Sequence, residues 1–195
     1  MSLDAFLVST GVVAVAEMGD KTQLLALMLA ARFRHHGAIV AGILVATVFN
    51  HFAAGWLGTL LAGWIDPTWL RWLVGVGFIA IALWALVPDK LDEDDAAVKP
   101  YGAFIATALA FFLAEMGDKT QIATVALAVK YHPLWQVIMG TTLGMMIADV
   151  PAVFLGNWMA ARLSLLRYAR FGAAAVFAVL GIMALYGMDG RQFVG

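Results

Sequence analysis

The seven residues Glu17-Met18-Gly19-Asp20-Lys21-Thr22-Gln23 return letter for letter at 115–121, and the flanks of the two copies align without a gap at the same offset of 98 residues. Ala5-Phe6 answers to Ala103-Phe104, Ala16 to Ala114, Gly42 to Gly140 and Gly58 to Gly156, while Arg32-Phe33 matches Lys130-Tyr131 in character. Self-similarity over such a length means two copies of one structural unit. Apolar runs fall at about 3–31, 37–63 and 68–87 in the first half, and at 101–130, 134–159 and 168–188 in the second. Each approaches or exceeds the roughly 20 residues a helix needs to cross a bilayer. Three spans per unit is an odd number, so the second unit must enter the membrane in the opposite direction. The sequence thus predicts an all-α polytopic membrane protein with six transmembrane helices, arranged as two inverted three-helix repeats. The first repeat is 1–87 and the second 101–195, with an acidic linker at 88–100.

Composition agrees and excludes much else. Of 195 residues, 63% are hydrophobic and 13% charged, and the mean hydropathy is +0.88. Soluble domains are about 45–50% apolar and about 25% charged. No cysteine is present, which removes disulfides, thiolate metal sites and Cys nucleophiles together. No basic cluster points to nucleic acid, and Met1 to Asp4 lacks the positive start of a cleavable signal peptide, so the first apolar run is expected to be retained. Arg32, Arg34, Lys90, Lys99, Arg162, Arg167 and Arg170 fall in loops one, three and five, against Arg71, Lys130 and Arg191 on the other side. Seven against three places those loops in the cytoplasm and both termini outside. Trp64, Trp69, Trp72 and Trp135 then fall at outer ends and Trp84 and Trp158 at inner ends, as interfacial belt residues do.

Charge inside such runs is what demands an explanation. An Asp or Lys near the bilayer centre costs roughly 2.5–3.5 kcal/mol on insertion scales, and Glu17 and Glu115 each sit midway along their spans. Within each motif the two acids are three residues apart, which on a continuous helix places them on one face. Gly19 and Gly117 permit either close helix approach or local unwinding that frees carbonyl oxygens. A two-fold axis in the membrane plane brings Glu17, Asp20, Glu115 and Asp118 together as one oxygen-rich cage. Four carboxylates carry −4, and Lys21 and Lys119, as counter-charges or as part of the coupling, reduce this to −2. One divalent cation neutralises the remainder, and so do two protons, which is the physical basis of cation/proton exchange. Hard oxygen donors suit Mn²⁺, Ca²⁺ or Mg²⁺ rather than Zn²⁺ or Cu⁺. Thr22, Gln23, Thr120 and Gln121 add neutral oxygens able to replace hydration water. Pairing of these charges merely to lock two helices is the competing account, but buried ion pairs are a poor source of stability.

The doubled E-x-G-D-K-T motif in two three-helix halves resembles the Gdt-type manganese/calcium exporter family of cation/proton exchangers, and the resemblance covers essentially the whole chain. It implies that Glu17, Asp20, Glu115 and Asp118 match the family's ion-binding acids. It also implies Mn²⁺ as the commoner bacterial cargo with Ca²⁺ as the alternative, no resident cofactor, protons as the counter-ion and a bacterial inner membrane as the location. The acidic linker takes no role from the resemblance.

Weaker polar features lie in the second span of each half, where Asn50-His51 aligns with Ala148-Asp149. Pro151 cannot donate a hydrogen bond to the carbonyl of Ile147, so Asp149 and a freed carbonyl are candidates to line the ion path. Asn50 reads equally as pathway lining or interhelical glue. His51 is either a proton relay, since imidazole titrates near neutrality, or a packing residue. Met18 and Met116, one position from the acids, are expected to pack on apolar surface. The run Asp92-Glu93-Asp94-Asp95 lacks the Gly and final Glu of an EF-hand loop and reads as a solvated linker. An enzyme is disfavoured, as no H-E-x-x-H, G-x-S-x-G or Ser/His pairing occurs. A passive cation channel stays open as the alternative to an antiporter, because acidic rings also select cations.

Overall fold

The computed structural model describes residues 3–87, 102–156 and 168–187, and these are helical without strands. The expected linker at 88–100, Trp158, Arg162, Arg167 and Arg191 lie outside the described residues, whereas Arg170 falls in the first turn of the last described helix. Where six continuous helices are expected, the described residues form eight: α1 (Asp4–Glu17), α2 (Lys21–Phe33), α3 (His36–Trp64), α4 (Pro67–Ala85), α5 (Ala103–Glu115), α6 (Lys119–Lys130), α7 (Leu134–Phe154) and α8 (Ala169–Tyr186). The extra pair arises because the first apolar run of each half breaks at its motif. α3, α4, α7 and α8 are each long and apolar enough to cross a membrane.

Local chemistry accounts for these boundaries. α4 starts where Asp66 accepts the Thr68 N–H at 2.9 Å, with Pro67 in the first helical position, where a missing donor is harmless. α1 and α5 stop because Gly19 and Gly117 adopt φ of +82° and +76°. That left-handed region costs an L-residue about 1–2 kcal/mol and is routine only for glycine. α7 runs on through Pro151 to Phe154 rather than ending before it.

Packing follows the duplication. α1 packs most extensively on α7, α3 on α5, and α4 on α8. Gly42 of α3 lies against Phe104 and Thr107 of α5, while Gly140 of α7 lies against Phe6 and Ser9 of α1. Each contact becomes the other when 98 is added or subtracted, so the halves contact one another reciprocally. Buried apolar side chains gather in two groups. Leu25, Leu29, Ile39, Ile43, Phe111 and Val153 join the motif helices to α3 and α7, and Phe78 stacks on Phe177, with ring centroids 6.1 Å apart, between α4 and α8. Trp64 and Trp69, which the sequence places at outer ends, are among the most exposed side chains.

The close approaches give a testable consequence. A Cβ at Gly140 would sit 2.5 Å from the Phe6 carbonyl oxygen, and backbone cannot step aside cheaply. Gly140→Ala is expected to destabilise the protein by about 1–3 kcal/mol, the usual range for overpacking. Gly77→Ala meets nothing within 4 Å and should be neutral or slightly stabilising. Thermal unfolding in detergent compares the two; equal melting temperatures would contradict this packing.

Candidate metal-binding site

Both breaks are built alike. The Gly19 N–H donates to Gln23 Oε1 at 2.9 Å and the Gly117 N–H to Gln121 Oε1 at 2.7 Å, so each glutamine ties down the turn that precedes its own helix. Asp20 and Asp118 stand at the N-caps of α2 and α6 with extended backbones, and neither side chain caps its own helix. An acid at a helix N-terminus is favoured by the aligned peptide dipoles. Freed from capping, these carboxylates turn to the opposite half. Lys119 hydrogen-bonds Asp20, and Lys21 stands 3.8 Å from Asp118. The two ion pairs exchange under the 98-residue offset, and they tie the repeats together at the break.

The glutamates occupy the centre. Glu17 is fully buried and Glu115 is 1% exposed. The Thr22 hydroxyl donates to Glu17 Oε2 at 2.7 Å and the Thr120 hydroxyl to Glu115 Oε2 at 3.0 Å. The other oxygen, Oε1 of each glutamate, has no hydrogen-bond partner among the described residues. Glu17, Glu115 and Asp118 each offer a carboxylate oxygen, and these oxygens all lie within 4.8 Å of one another. Two ionised carboxylates at that separation repel by about 3 kcal/mol at an effective dielectric near 20. Three such pairs cannot all remain ionised and bare, so the cluster is chemically suited to hold a hard cation, protons, or each in turn.

The structure refines several sequence expectations. The acids of each motif do not share a face of one helix, because the chain unwinds between them; the glycines adopt the unwinding alternative. Of the four acids expected in one cage, three meet closely and Asp20 is engaged by Lys119. Thr22 and Thr120 direct their hydroxyl protons to the glutamates, so they orient those carboxylates. Gln23 and Gln121 have their oxygens bound to the turns, and Gln23 also donates to the Ala148 carbonyl at 2.8 Å. Each glutamine oxygen thus already accepts one hydrogen bond from its turn. Met18 and Met116 point away from the acids and are 39% and 57% exposed.

α3 and α7 complete the surroundings. Asn50 donates to the Phe112 carbonyl at 3.2 Å, which supports the interhelical-glue reading. Asp149 is wholly buried, lies close enough to Glu17 and Glu115 to repel both, and is within reach of the Thr22 hydroxyl, although that hydroxyl is turned to Glu17. It adds a fifth carboxylate, and the charge balance with both lysines protonated becomes −3. His51 is also wholly buried. Thr47, one turn before His51, has a buried hydroxyl with no hydrogen-bond partner among the described residues, and only its i−4 spacing from His51 could have marked it in the sequence.

Comparison with known proteins gives a consistent set. The family model described as "Divalent cation/proton antiporter GDT1" matches residues 5–93 and 103–192. A Vibrio cholerae protein named "Putative manganese exporter" is 48% identical over 166 residues, covering 85% of this chain and 82% of that protein. A GDT1-like protein of Synechocystis is 29% identical, covering 83% of this chain and 87% of its own length. GDT1-like protein 5 of Arabidopsis thaliana is 26% identical, covering 94% and 96% respectively. No solved structure matches the chain.

Proposed function

We propose, from the fact that this chain belongs to the GDT1 family of divalent cation/proton antiporters, that it exports Mn²⁺ in exchange for protons through the acids of its two motifs. Membership makes it a transporter rather than an enzyme. The observation that carries the finer reading is the buried cluster of Glu17, Glu115 and Asp118, with oxygens within 4.8 Å of one another where two broken helices meet. A similar protein bears a manganese exporter's name, which favours Mn²⁺ over Ca²⁺ as cargo.

In this reading α1–α2 and α5–α6 are two discontinuous spans. With α3, α4, α7 and α8 they make six crossings, in inverted repeats 1–87 and 101–195 joined by the 88–100 linker. The protein lies in a bacterial inner membrane with both termini outside. Broken helices at mid-membrane depth are how such transporters offer oxygens to an ion. Asp20 is the fourth acid and joins the cluster when Lys119 releases it. The two-fold relation then makes Lys21 and Asp118 the closed pair. A dication brings the −3 balance to −1, and one proton on any of the five carboxylates removes the rest. The same carboxylates therefore serve metal and proton in turn. Alternating exposure to the two sides completes an exchange cycle, since each repeat adopts the arrangement the other leaves.

Flux into proteoliposomes across a panel of Mn²⁺, Ca²⁺ and Mg²⁺ tests this. Mn²⁺ should move against its own gradient when a pH gradient is imposed, and the movement should stop when an ionophore dissipates that gradient. Flux that continues unchanged after dissipation would instead make the protein a passive channel with an acidic filter.

A further inference from the structure

Thr47, Asn50, His51, Ala54, Gly55 and Gly58 form one buried stripe along α3, while Val48, Phe49 and Phe52 face outward. The stripe lies on the broken pair α5–α6. Gly42 rests against Phe104 and Thr107 of α5, and Gly58 against Val125 and Ala128 of α6. α3 therefore runs beside the pair in the same direction. His51, between these two marks, is level with the break at Glu115–Asp118, and the Asn50 bond to the Phe112 carbonyl holds that register. The other half repeats the arrangement: Gly140 rests on Phe6 and Ser9 of α1, and Gly156 approaches Leu27 of α2. Asp149, the residue 98 positions after His51, is thereby level with Glu17–Asp20. At one place the first half presents an imidazole and the second a carboxylate.

His51 has neither ring nitrogen hydrogen-bonded among the described residues, although it is wholly buried. A histidine buried only for packing normally satisfies at least one nitrogen, because an unmade bond there costs about 1–3 kcal/mol. His51 lies outside the close oxygen cluster. Three carboxylate oxygens, however, fill only half of an octahedral set, which leaves room for further ligands.

We infer that His51 gives a nitrogen ligand to the cation held by the carboxylate cluster, and that this nitrogen sets the preference for a first-row transition dication such as Mn²⁺ over Ca²⁺ and Mg²⁺. The inference rests on the cation-binding reading of the cluster. Imidazole is a borderline donor that d-block ions accept, whereas Ca²⁺ and Mg²⁺ take oxygen almost exclusively. A wholly carboxylate site lacks that discrimination. The replacement of a second Asp by His51 supplies it without removing the charges that attract every dication.

The test uses the purified full chain in detergent, loaded with Mn²⁺ and read by pulsed electron paramagnetic resonance. Coupling of the Mn²⁺ spin to an imidazole ¹⁴N should appear in the wild type and vanish in His51→Asn, whose amide binds through oxygen. His35, His36 and His132 are exposed at helix junctions and keep their own contribution unchanged between the two. In parallel, the ratio of Mn²⁺ to Ca²⁺ affinity should fall at least about three-fold in His51→Asn, and in His51→Asp if that variant folds. Bound Mn²⁺ without ¹⁴N coupling in the wild type, or a smaller change in ratio in the folded variant, would overturn the inference while leaving the cluster intact. Wild-type protein that binds no Mn²⁺ would overturn the cluster reading and this inference with it.

Discussion

Glu17→Gln and Asp118→Asn are each expected to abolish metal/proton exchange while leaving the protein folded in detergent. Both residues are buried, and each contributes an oxygen to the cluster. An amide keeps the shape of the side chain but removes the charge that both cargoes need. Truncating one member of a buried charged contact typically costs 2–5 kcal/mol. About 3 kcal/mol is a loss of more than a hundred-fold in affinity. Folding should be spared, because each substitution also removes a carboxylate repelled by its neighbours, and the Lys21 that Asp118→Asn leaves behind is partly exposed. Exchange rates in proteoliposomes and melting temperatures in detergent check both halves of this expectation. Wild-type exchange in either variant would contradict the role assigned to these acids.

Lys119→Met should cost the most stability of any single change at the site. Lys119 and Asp20 are both almost fully buried, and their ion pair joins one repeat to the other. Removing one partner strands a buried charge, with a typical penalty of about 3–5 kcal/mol. For a chain of this size that corresponds to a fall in melting temperature of roughly 10 °C. Lys21→Met should be milder, because the Lys21 side chain is 18% exposed and lies 3.8 Å from Asp118. Adding Asp20→Asn to Lys119→Met should recover much of the loss, since no bare charge then remains. A single variant that melts within about 2 °C of the wild type would contradict the pairing, by the same conversion.

The apolar runs marked where helices lie, though not the break within the first run of each half. Doubling of the motif likewise foretold that the acids of the two halves would meet, and Glu17, Glu115 and Asp118 do. What the sequence left open was decided by contacts between the halves. Gly19 and Gly117 suit a tight crossing as well as a break, and the choice depends on Gln23 and Gln121 capturing the glycine N–H groups. Asp20 and Asp118 are indistinguishable in the repeat, yet Lys119 engages Asp20 while Asp118 approaches the glutamates. No local pattern encodes such an asymmetry, since the seven residues are identical in the two copies. Thr22 and Thr120 were read as cation ligands because hydroxyl oxygens can play either part. Only the placement of Glu17 and Glu115 shows them to be donors to those acids. Asp149 was found through its alignment with His51 and its neighbouring proline, although its closeness to both glutamates required the packing of α7 against α1.

The most direct measurement is the location of the cation itself. Anomalous scattering at the manganese edge, from crystals of the full chain grown with Mn²⁺, should give one strong peak enclosed by Glu17, Glu115 and Asp118. The peak should disappear in Glu17→Gln crystals. A Mn²⁺ peak elsewhere in the membrane-spanning region, or one that persists unchanged in Glu17→Gln, would contradict the assignment of the transported ion to the paired motifs.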